Sequence, residues 1–345
     1  MGSLFWSSRA AAAIAPAAPI APPTIDREIA CELLIAGAGL AGMAAAYEAL
    51  LAGRTVCLTD ITDWLGGQIS AQGTSALDER PTQTARRHYP QGYLELRDRI
   101  HQRYGRQSAG HCWVSAACFL PRDGHEILQA MLTEAAVAGG GTLHWLPNTV
   151  MKDLEFAPSP LDPDNRIVVG AIAIQHQPAP GAPPLNTDPL SATLLDAYQY
   201  EDSDRFRKTT IRFVPATPDA AIPWYVIEAT ETGELLPLAR VPYRLGIDPR
   251  SPLDPSASSA TPDPYCTQGF TYTFAMAATA TPQVHTPPPF YAQYAPYYSY
   301  ELPRFGFEFV FVYRRIWDAP PYNRSGNFAI SPGDISMQNW TWGND

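Results

Sequence analysis

Two hydrophobic periodicities alternate along the first half of the chain. Short continuous apolar runs, Glu32–Ala36 (ELLIA), Thr55–Asp60 (TVCLTD) and Thr142–Leu146 (TLHWL), predict strands buried on both faces. Between them, Leu40–Ala52 is rich in helix formers and stops at Gly53, a residue suited to a helix C-terminus. A second helix is predicted over Gly124–Ala138. It places Ile127, Leu128, Met131, Leu132 and Ala135 on one face, with Asp123 as N-cap and Gly139 after its end. Asp153–Phe156 and Arg166–Ile174 predict an antiparallel hairpin, and Tyr225–Glu228 a further strand after a long insertion. The run Phe305–Tyr313 (FGFEFVFVY) alternates at period two and predicts an edge strand, following the aromatic-dense stretch with Tyr291, Tyr294, Tyr297, Tyr298 and Tyr300. The order βαβ, αβ, hairpin, β is that of an α/β fold with a parallel sheet.

Composition changes this picture only in the second half. Of 35 prolines, 27 follow Phe156, so the later chain reads as short strands joined by long loops. Hydrophobic residues at 46% and charged residues at 17% exclude a disordered chain. A net charge of −10 argues against binding to nucleic acid. No apolar run reaches the ~18 residues of a membrane span. Pro16, Pro19, Pro22 and Pro23 interrupt any export-signal core near the start, so a flexible leader and a cytoplasmic location are expected. Five cysteines with no C-x-x-C pair encode neither a disulfide framework nor a zinc knuckle, and seven histidines offer no helical ligand pair, so no metal is expected.

The chemistry concentrates after the first strand, in Gly37-Ala38-Gly39-Leu40-Ala41-Gly42, with Ala46 beyond it. Gly37 permits a tight turn, Gly39 lets the backbone approach a pyrophosphate, and Gly42 with Ala46 brings the helix close to the strands. Phosphates there meet unpaired N–H groups and the positive end of the helix dipole. Asp60, 23 residues after Gly37, ends the second strand, where a carboxylate can accept hydrogen bonds from ribose hydroxyls.

The continuation Ile61-Thr62-Asp63-Trp64-Leu65-Gly66-Gly67-Gln68 resembles flavoproteins of the glutathione-reductase type. There a second glycine pair runs along the FAD diphosphate, and the ribose-binding acid is usually Glu where this chain has Asp60. The blocks at Gln72–Glu79, His111–Ser115, Glu228–Leu238 and Gly333–Met337 are similar to those of a bacterial family of FAD-dependent oxidoreductases, over nearly the whole chain after Ile29. The resemblance implies FAD as cofactor, with Ile61, Gly66, Gly67 and Gln68 added to its contacts. It also implies that the Ala229-Thr230 turn approaches the cofactor and that Asn148–Met151 passes the adenine. Members of that family continue past the point matching Asp345, so a truncated C-terminus is expected.

The resulting expectation is a Rossmann-type FAD-binding domain, a parallel sheet with an antiparallel hairpin crossover, interrupted by a loop-rich mixed α+β substrate region. Its boundaries are a leader over 1–28, the FAD domain over 29–177, an insertion over 178–222, a return over 223–240 and a substrate region over 241–345. The expected function is FAD-dependent oxidoreduction of a small-molecule substrate, with no membrane partner, oligomeric state and catalytic acid or base unassigned. An NAD(P)-linked dehydrogenase and a non-catalytic nucleotide-binding protein are the alternatives. Cys112 and Cys118 are expected to be core thiols, a flavin-linked redox pair being the other reading. The basic stretch Arg86, Arg87, Arg97, Arg99, Arg103 and Arg106 is expected on a solvated helix face, with a phosphate contact as the alternative.

Overall fold

The fold is that of a computed structural model, which describes residues 23–80, 88–218, 224–253, 255, 259–267, 272–294, 306–321 and 328–338. The expectations for the leader before residue 23, for Arg86, Arg87, Tyr297, Tyr298, Tyr300 and Phe305, and for the chain end after 338 lie outside these residues.

The chain enters through β1 (Arg27–Cys31), crosses between sheets at Glu32 and continues as β2 (Leu33–Ala36). Helix α1 (Leu40–Leu51) and β3 (Thr55–Thr59) follow, then helices α2 (Gln91–Tyr104) and α3 (Pro121–Gly139) and strand β4 (Thr142–Leu146). The long hairpin is β5 (Thr149–Pro158) and β6 (Arg166–Pro178), followed after an excursion by β7 (Phe206–Pro215) and then β8 (Tyr225–Glu228). The first sheet has the order β4-β3-β2-β8 with every pairing parallel. In chain order that is 3-2-1-4, so the direction of winding reverses between β2 and β8, the switch point at which dinucleotides bind in such sheets.

Both faces of that sheet are covered, which is why its strands read as unbroken apolar runs. Ile35, Val56 and Leu58 face a core shared with Met43, Ala46 and Leu50 of α1 and with Leu128, Met131 and Leu132 of α3. Leu34, Ala36 and Cys57 face the opposite core against Met151, Ala171, Ala173, Ile211 and Phe213. The second layer is the sheet β1-β7-β6-β5, in which β1 pairs β7 in parallel and the rest is antiparallel. β1 was not expected: its buried positions alternate with exposed ones, and its pairing partner lies 184 residues away along the chain.

Two boundaries differ from expectation. Helix α3 begins at Pro121 rather than Gly124, because proline at the first helical position needs no N–H partner. Asp123 therefore lies inside the first turn, where it takes hydrogen bonds from Tyr104 and an ion pair from Arg103 instead of capping. The helix ends on Gly140 in the left-handed conformation (φ 71°), one residue later than Gly139. The expected strand at Phe305–Tyr313 is, over Phe307–Tyr313, helix α4. Val310, Phe311 and Val312 are buried at successive positions, so the run is apolar all round, and alternation over so short a run does not distinguish the two conformations. α4 lies beside a small antiparallel sheet with order β10-β11-β9, formed by β9 (Phe274–Ala277), β10 (Arg315–Trp317) and β11 (Ile335–Gln338).

The described arginines of the basic stretch are engaged. Arg97 pairs with Glu79 at 3.2 Å, and Arg99 with both Glu95 and Glu134 at 2.6 Å. Arg103 ties α2 to α3 through Asp123 and Glu126, and Arg106 bonds the buried Asp318. Apart from Arg99–Glu95 within α2, these pairs tie the arginines to other segments of the chain.

Candidate functional site

The carboxyl ends of β2, β3 and β8 meet at the switch point, and the glycine loop is built between them. Gly37 turns with φ +95°, and its N–H donates to Thr59 O at 3.0 Å. A Cβ on Gly37 would stand 2.2 Å from the Ala229 carbonyl oxygen, so only glycine lets β2 leave the sheet beside β8. A Cβ on Gly42 would lie 1.9 Å from Gly37 O, which fixes α1 directly on the loop. Gly39 is the N-cap of α1 and supplies no side-chain cap, so the first N–H groups of the helix, at Leu40, Ala41 and Gly42, point out of its end.

The second glycine pair closes the other side. Gly66 (φ +108°) bridges Gly39 in parallel, and its N–H donates to Ala38 O at 2.8 Å. Gly67 (φ +50°) begins a short 3₁₀ turn, and a Cβ there would be 3.0 Å from Gly39 Cα. Leu65 N–H donates to His125 Nδ1 at 3.0 Å, and the Trp64 ring stacks on the same imidazole. Burial lowers the His125 pKa, in keeping with an unprotonated Nδ1 that accepts from the backbone. Helix α3 thereby anchors the loop carrying Gly66 and Gly67. Gln68 at the rim is exposed, and its carbonyl takes the Thr74 N–H.

Asp60 is placed at the end of β3 as the spacing requires, but its carboxylate is held by the protein. Oδ2 accepts the Ala38 N–H at 2.8 Å, and Oδ1 accepts the Thr62 N–H and hydroxyl, both at 2.8 Å. Burial pushes the Asp60 carboxyl above the usual carboxylate range, and these three donors pull it back. Ile61 turns into a small apolar cluster with Val150, Ile174 and Phe206. The Met151 side chain is buried beneath the site with its Sδ near the Thr59 hydroxyl, so only its backbone faces the strand ends.

Three acids at the site carried no signal in the glycine motif. Glu228 accepts the Thr230 N–H at 2.5 Å and the Leu235 N–H at 2.6 Å, fixing the Ala229-Thr230 turn over Gly37. Glu234 takes the Tyr198 hydroxyl at 2.5 Å; burial, with Glu228 and Asp60 nearby, pushes its carboxyl up to about 7. Glu231 is the most telling. Its Oε1 lies 3.0 Å from the Cβ position of Gly39 and 2.9 Å from that of Gly67. A carboxylate oxygen thus stands over the bare glycine backbones at the start of α1, where a helix attracts an anion. The bare backbones of Gly39 and Gly67 thus leave open space at the helix end that a side chain would fill.

One expectation about the cysteines is overturned. Cys112 and Cys118 form a disulfide, with Cα atoms 6.4 Å apart. The loop between them folds back so that both sulfurs lie against the Ser115 carbonyl oxygen, at 3.0 and 3.7 Å, and Cys118 bridges Ala76. A C-x₅-C spacing reveals no such closure, because the loop conformation that brings the two together depends on Ser75, Ala76 and Leu77 of a distant segment. Disulfides persist in oxidising surroundings, so this bond lends no support to a reducing compartment. Cys31 and Cys57 are free and buried.

With this geometry in place, residues 32–157 match the family described as FAD dependent oxidoreductase. That segment is similar to the FAD-dependent oxidoreductases, over just above a third of the chain. FAD is its cofactor, and the matched span runs from the start of β2 through the hairpin strand β5. No curated protein sequence matches the chain. Among solved structures, the chain is similar to Thermovibrio ammonificans THI4, at 13% identity over 65% of this chain and 68% of that one, with a TM-score of 0.33. It is also similar to the OxyS anhydrotetracycline hydroxylase from Streptomyces rimosus, at 14% identity over 64% and 36% of the two chains, with a TM-score of 0.32. A third is the 3-ketosteroid-delta4-(5alpha)-dehydrogenase from Rhodococcus jostii RHA1, at 15% identity, 55% and 45% coverage and a TM-score of 0.25. The chain spans less than half the length of the last two. Among the described residues, no helix is long and apolar enough to cross a membrane.

Proposed function

We propose that the chain is a flavoprotein of the glutathione-reductase type that oxidises or reduces a small molecule. FAD would be held by Gly37, Ala38, Gly39, Leu40, Ala41 and Gly42 on one side and by Gly66, Gly67 and Gln68 on the other. When bound, FAD supplies hydride or electron transfer, and the protein supplies binding, orientation and exclusion of water. The observation that carries the reading is the pair Gly39 and Gly66, bridged in parallel at the N-terminus of α1, where the backbones of Gly39 and Gly67 carry no side chain and only the Glu231 carboxylate tip stands near them.

Each residue has a separate task. The N–H groups at the start of α1 would take phosphate oxygens, Asp60 would hold Ala38 in place while presenting its edge to the ribose, and Glu228 would keep the Ala229-Thr230 turn against the glycine loop. Residues 29–177 and 223–240 would form the cofactor part of this reading and 241–345 the substrate region; of the expected insertion 178–222, the strand β7 is instead part of the second sheet, so only the excursion 179–205 stands outside it. The experiment is the absorption spectrum of the purified protein after incubation with FAD and gel filtration. A retained flavin spectrum supports the reading. Colourless protein that retains a nicotinamide nucleotide instead supports an NAD(P)-linked enzyme.

A further inference from the structure

The chain leaves the glycine cradle through residues 72–77, a segment held by its backbone. Gln72 N–H donates to Gly67 O at 3.1 Å and Thr74 N–H to Gln68 O at 2.9 Å, which keeps this exit beside Gly67. Ser75 O accepts the Phe119 N–H at 3.1 Å, and Ala76 is bridged to Cys118. The small sheet closes over the same segment. The Thr273 hydroxyl donates to Gln72 O at 2.7 Å, and Met337 Sδ lies 3.3 Å from the Cβ position of Gly73. Arg314, which joins α4 to β10, completes the enclosure together with Ile316.

Between these pieces is a notch of about 10 Å³, room for one water-sized atom. Two of the polar groups lining it have no partner among the described residues. Ser75 is only 2% exposed and its hydroxyl makes no hydrogen bond; nor does the buried Nε of Arg314. Both run against the rule that buried polar groups are paired. The arginine is the stronger exception. Its neighbour Arg315 is buried against Asp334 at 3.3 Å and Arg97 against Glu79 at 3.2 Å, whereas no carboxylate of the described residues pairs with Arg314. Burial lowers the Arg314 pKa, and the nearby Asp78 and Tyr313 offset this only in part.

A water would bond the hydroxyl and Nε but leave the charge unbalanced; an anion does both. The walls at Ala76, Ile316 and Met337 are apolar, and Arg314 is the only cation among the described residues lining the notch. One cation balances a monoanion, and the edge of a guanidinium matches the two oxygens of a carboxylate. A phosphate would bring a second charge and further oxygens, for which these side chains offer no donor. Ala76 and Met337 are half-buried, so the body of a bound molecule can lie outside while one oxygen enters.

We propose that the notch of Ser75 and Arg314 is the carboxylate subsite for this chain's substrate, a small monocarboxylate whose inner oxygen takes hydrogen bonds from Nε and from the Ser75 hydroxyl. Ser75 belongs to the cofactor part and Arg314 to the substrate region, and the notch lies where the exit from the cradle meets both. The inference deepens the oxidoreductase reading proposed above and rests on it for the role as substrate, while binding of the anion does not.

The test uses the purified full chain without cofactor. It is titrated with acetate and benzoate, with their neutral amides acetamide and benzamide, and with inorganic phosphate, all at constant ionic strength. Calorimetry and melting temperature read binding in wild type, Arg314→Met and Ser75→Ala. Wild type should bind a carboxylate saturably and neither the amides nor phosphate, with Kd raised at least tenfold in Arg314→Met and severalfold in Ser75→Ala. Without ligand, both variants should melt at or above the wild-type temperature, because each removes a buried group that has no partner. Carboxylates that bind no better than their amides, or equally well in the variants, overturn the proposal, as does phosphate binding of equal strength. A melting temperature lowered in both variants, without carboxylate binding, identifies a structural water and overturns it too. If Arg314→Met fails to fold, Ser75→Ala decides by the same criteria. In protein loaded with FAD, benzoate should shift the flavin absorption bands; binding without a shift separates the notch from the flavin and overturns the substrate role. Carboxylate binding in a protein that takes up no FAD supports the subsite and removes the flavin reading, and FAD uptake without carboxylate binding does the reverse.

Discussion

The Asp60 carboxylate accepts the backbone N–H of Ala38 at 2.8 Å, across 22 residues of sequence. The acid at the end of β3 therefore shapes the loop that follows β2, and in the proposed site cofactor affinity would depend on it twice: through any ribose contact and through the loop. Asp60→Ala removes both. A hydrogen bond to a charged group contributes about 1.5–3 kcal/mol, so FAD affinity should fall roughly ten- to a hundredfold. Titration of the apoprotein checks it, and a change below twofold would show that Asp60 matters to neither.

Glu231 acts in the opposite direction. Its carboxylate stands over Gly39 and Gly67, where the diphosphate would lie, and like charges compete for the same helix end. Glu231→Gln should tighten FAD binding by about 0.3–1 kcal/mol, or roughly two- to fivefold, the size of a charge interaction with a helix terminus. The gain should shrink at high salt. Weaker binding in this variant would mean that Glu231 is part of the cofactor's hold.

The glycines of the loop divide by what surrounds them. A methyl on Gly42 would strike Gly37 O at 1.9 Å, whereas one on Gly39 meets the tip of the Glu231 side chain at 3.0 Å. Gly42→Ala should therefore cost stability by about 1–3 kcal/mol, and Gly39→Ala little. Thermal melts of the two apoproteins distinguish them, and equal melting temperatures would contradict the packing described.

Glu234 makes stability depend on pH. Its folded-state pKa is raised, from an ordinary 4.5 to about 7, so the native state holds this proton more tightly than the unfolded chain. Its contribution is fully present below about 4.5 and is lost as pH rises through about 7. Melting temperature should fall across that window in wild type, and the slope should flatten in Glu234→Gln. Asp60, raised in the same direction, accounts for part of the remaining slope. An identical pH profile in the variant would place the titration elsewhere.

What was legible in the sequence was local. The strand, the glycines, α1 and Asp60 lie within 30 residues, and each residue type is dictated by a steric need of its immediate neighbours. Glu231 and Glu234 were not legible as site residues, because only the parallel pairing of β2 with β8 carries them to the glycine loop. The Cys112–Cys118 bond, the strand β1 and the helix at Phe307–Tyr313 each depend on a partner far along the chain, and periodicity alone does not register such partners. Nor did the long insertion announce the small cleft between it and Ile61, Asn148 and His176, residues of three other segments.

The central claim is that the cradle between Gly39 and Gly66 binds the diphosphate of FAD. Its most direct test is a titration of the apoprotein with FAD, followed by flavin fluorescence, for wild type and Gly39→Val. The account predicts saturable, stoichiometric quenching in wild type and its loss in a Gly39→Val protein that keeps the wild-type circular dichroism. Equal FAD affinity in the two proteins, or no binding by wild type, would contradict it.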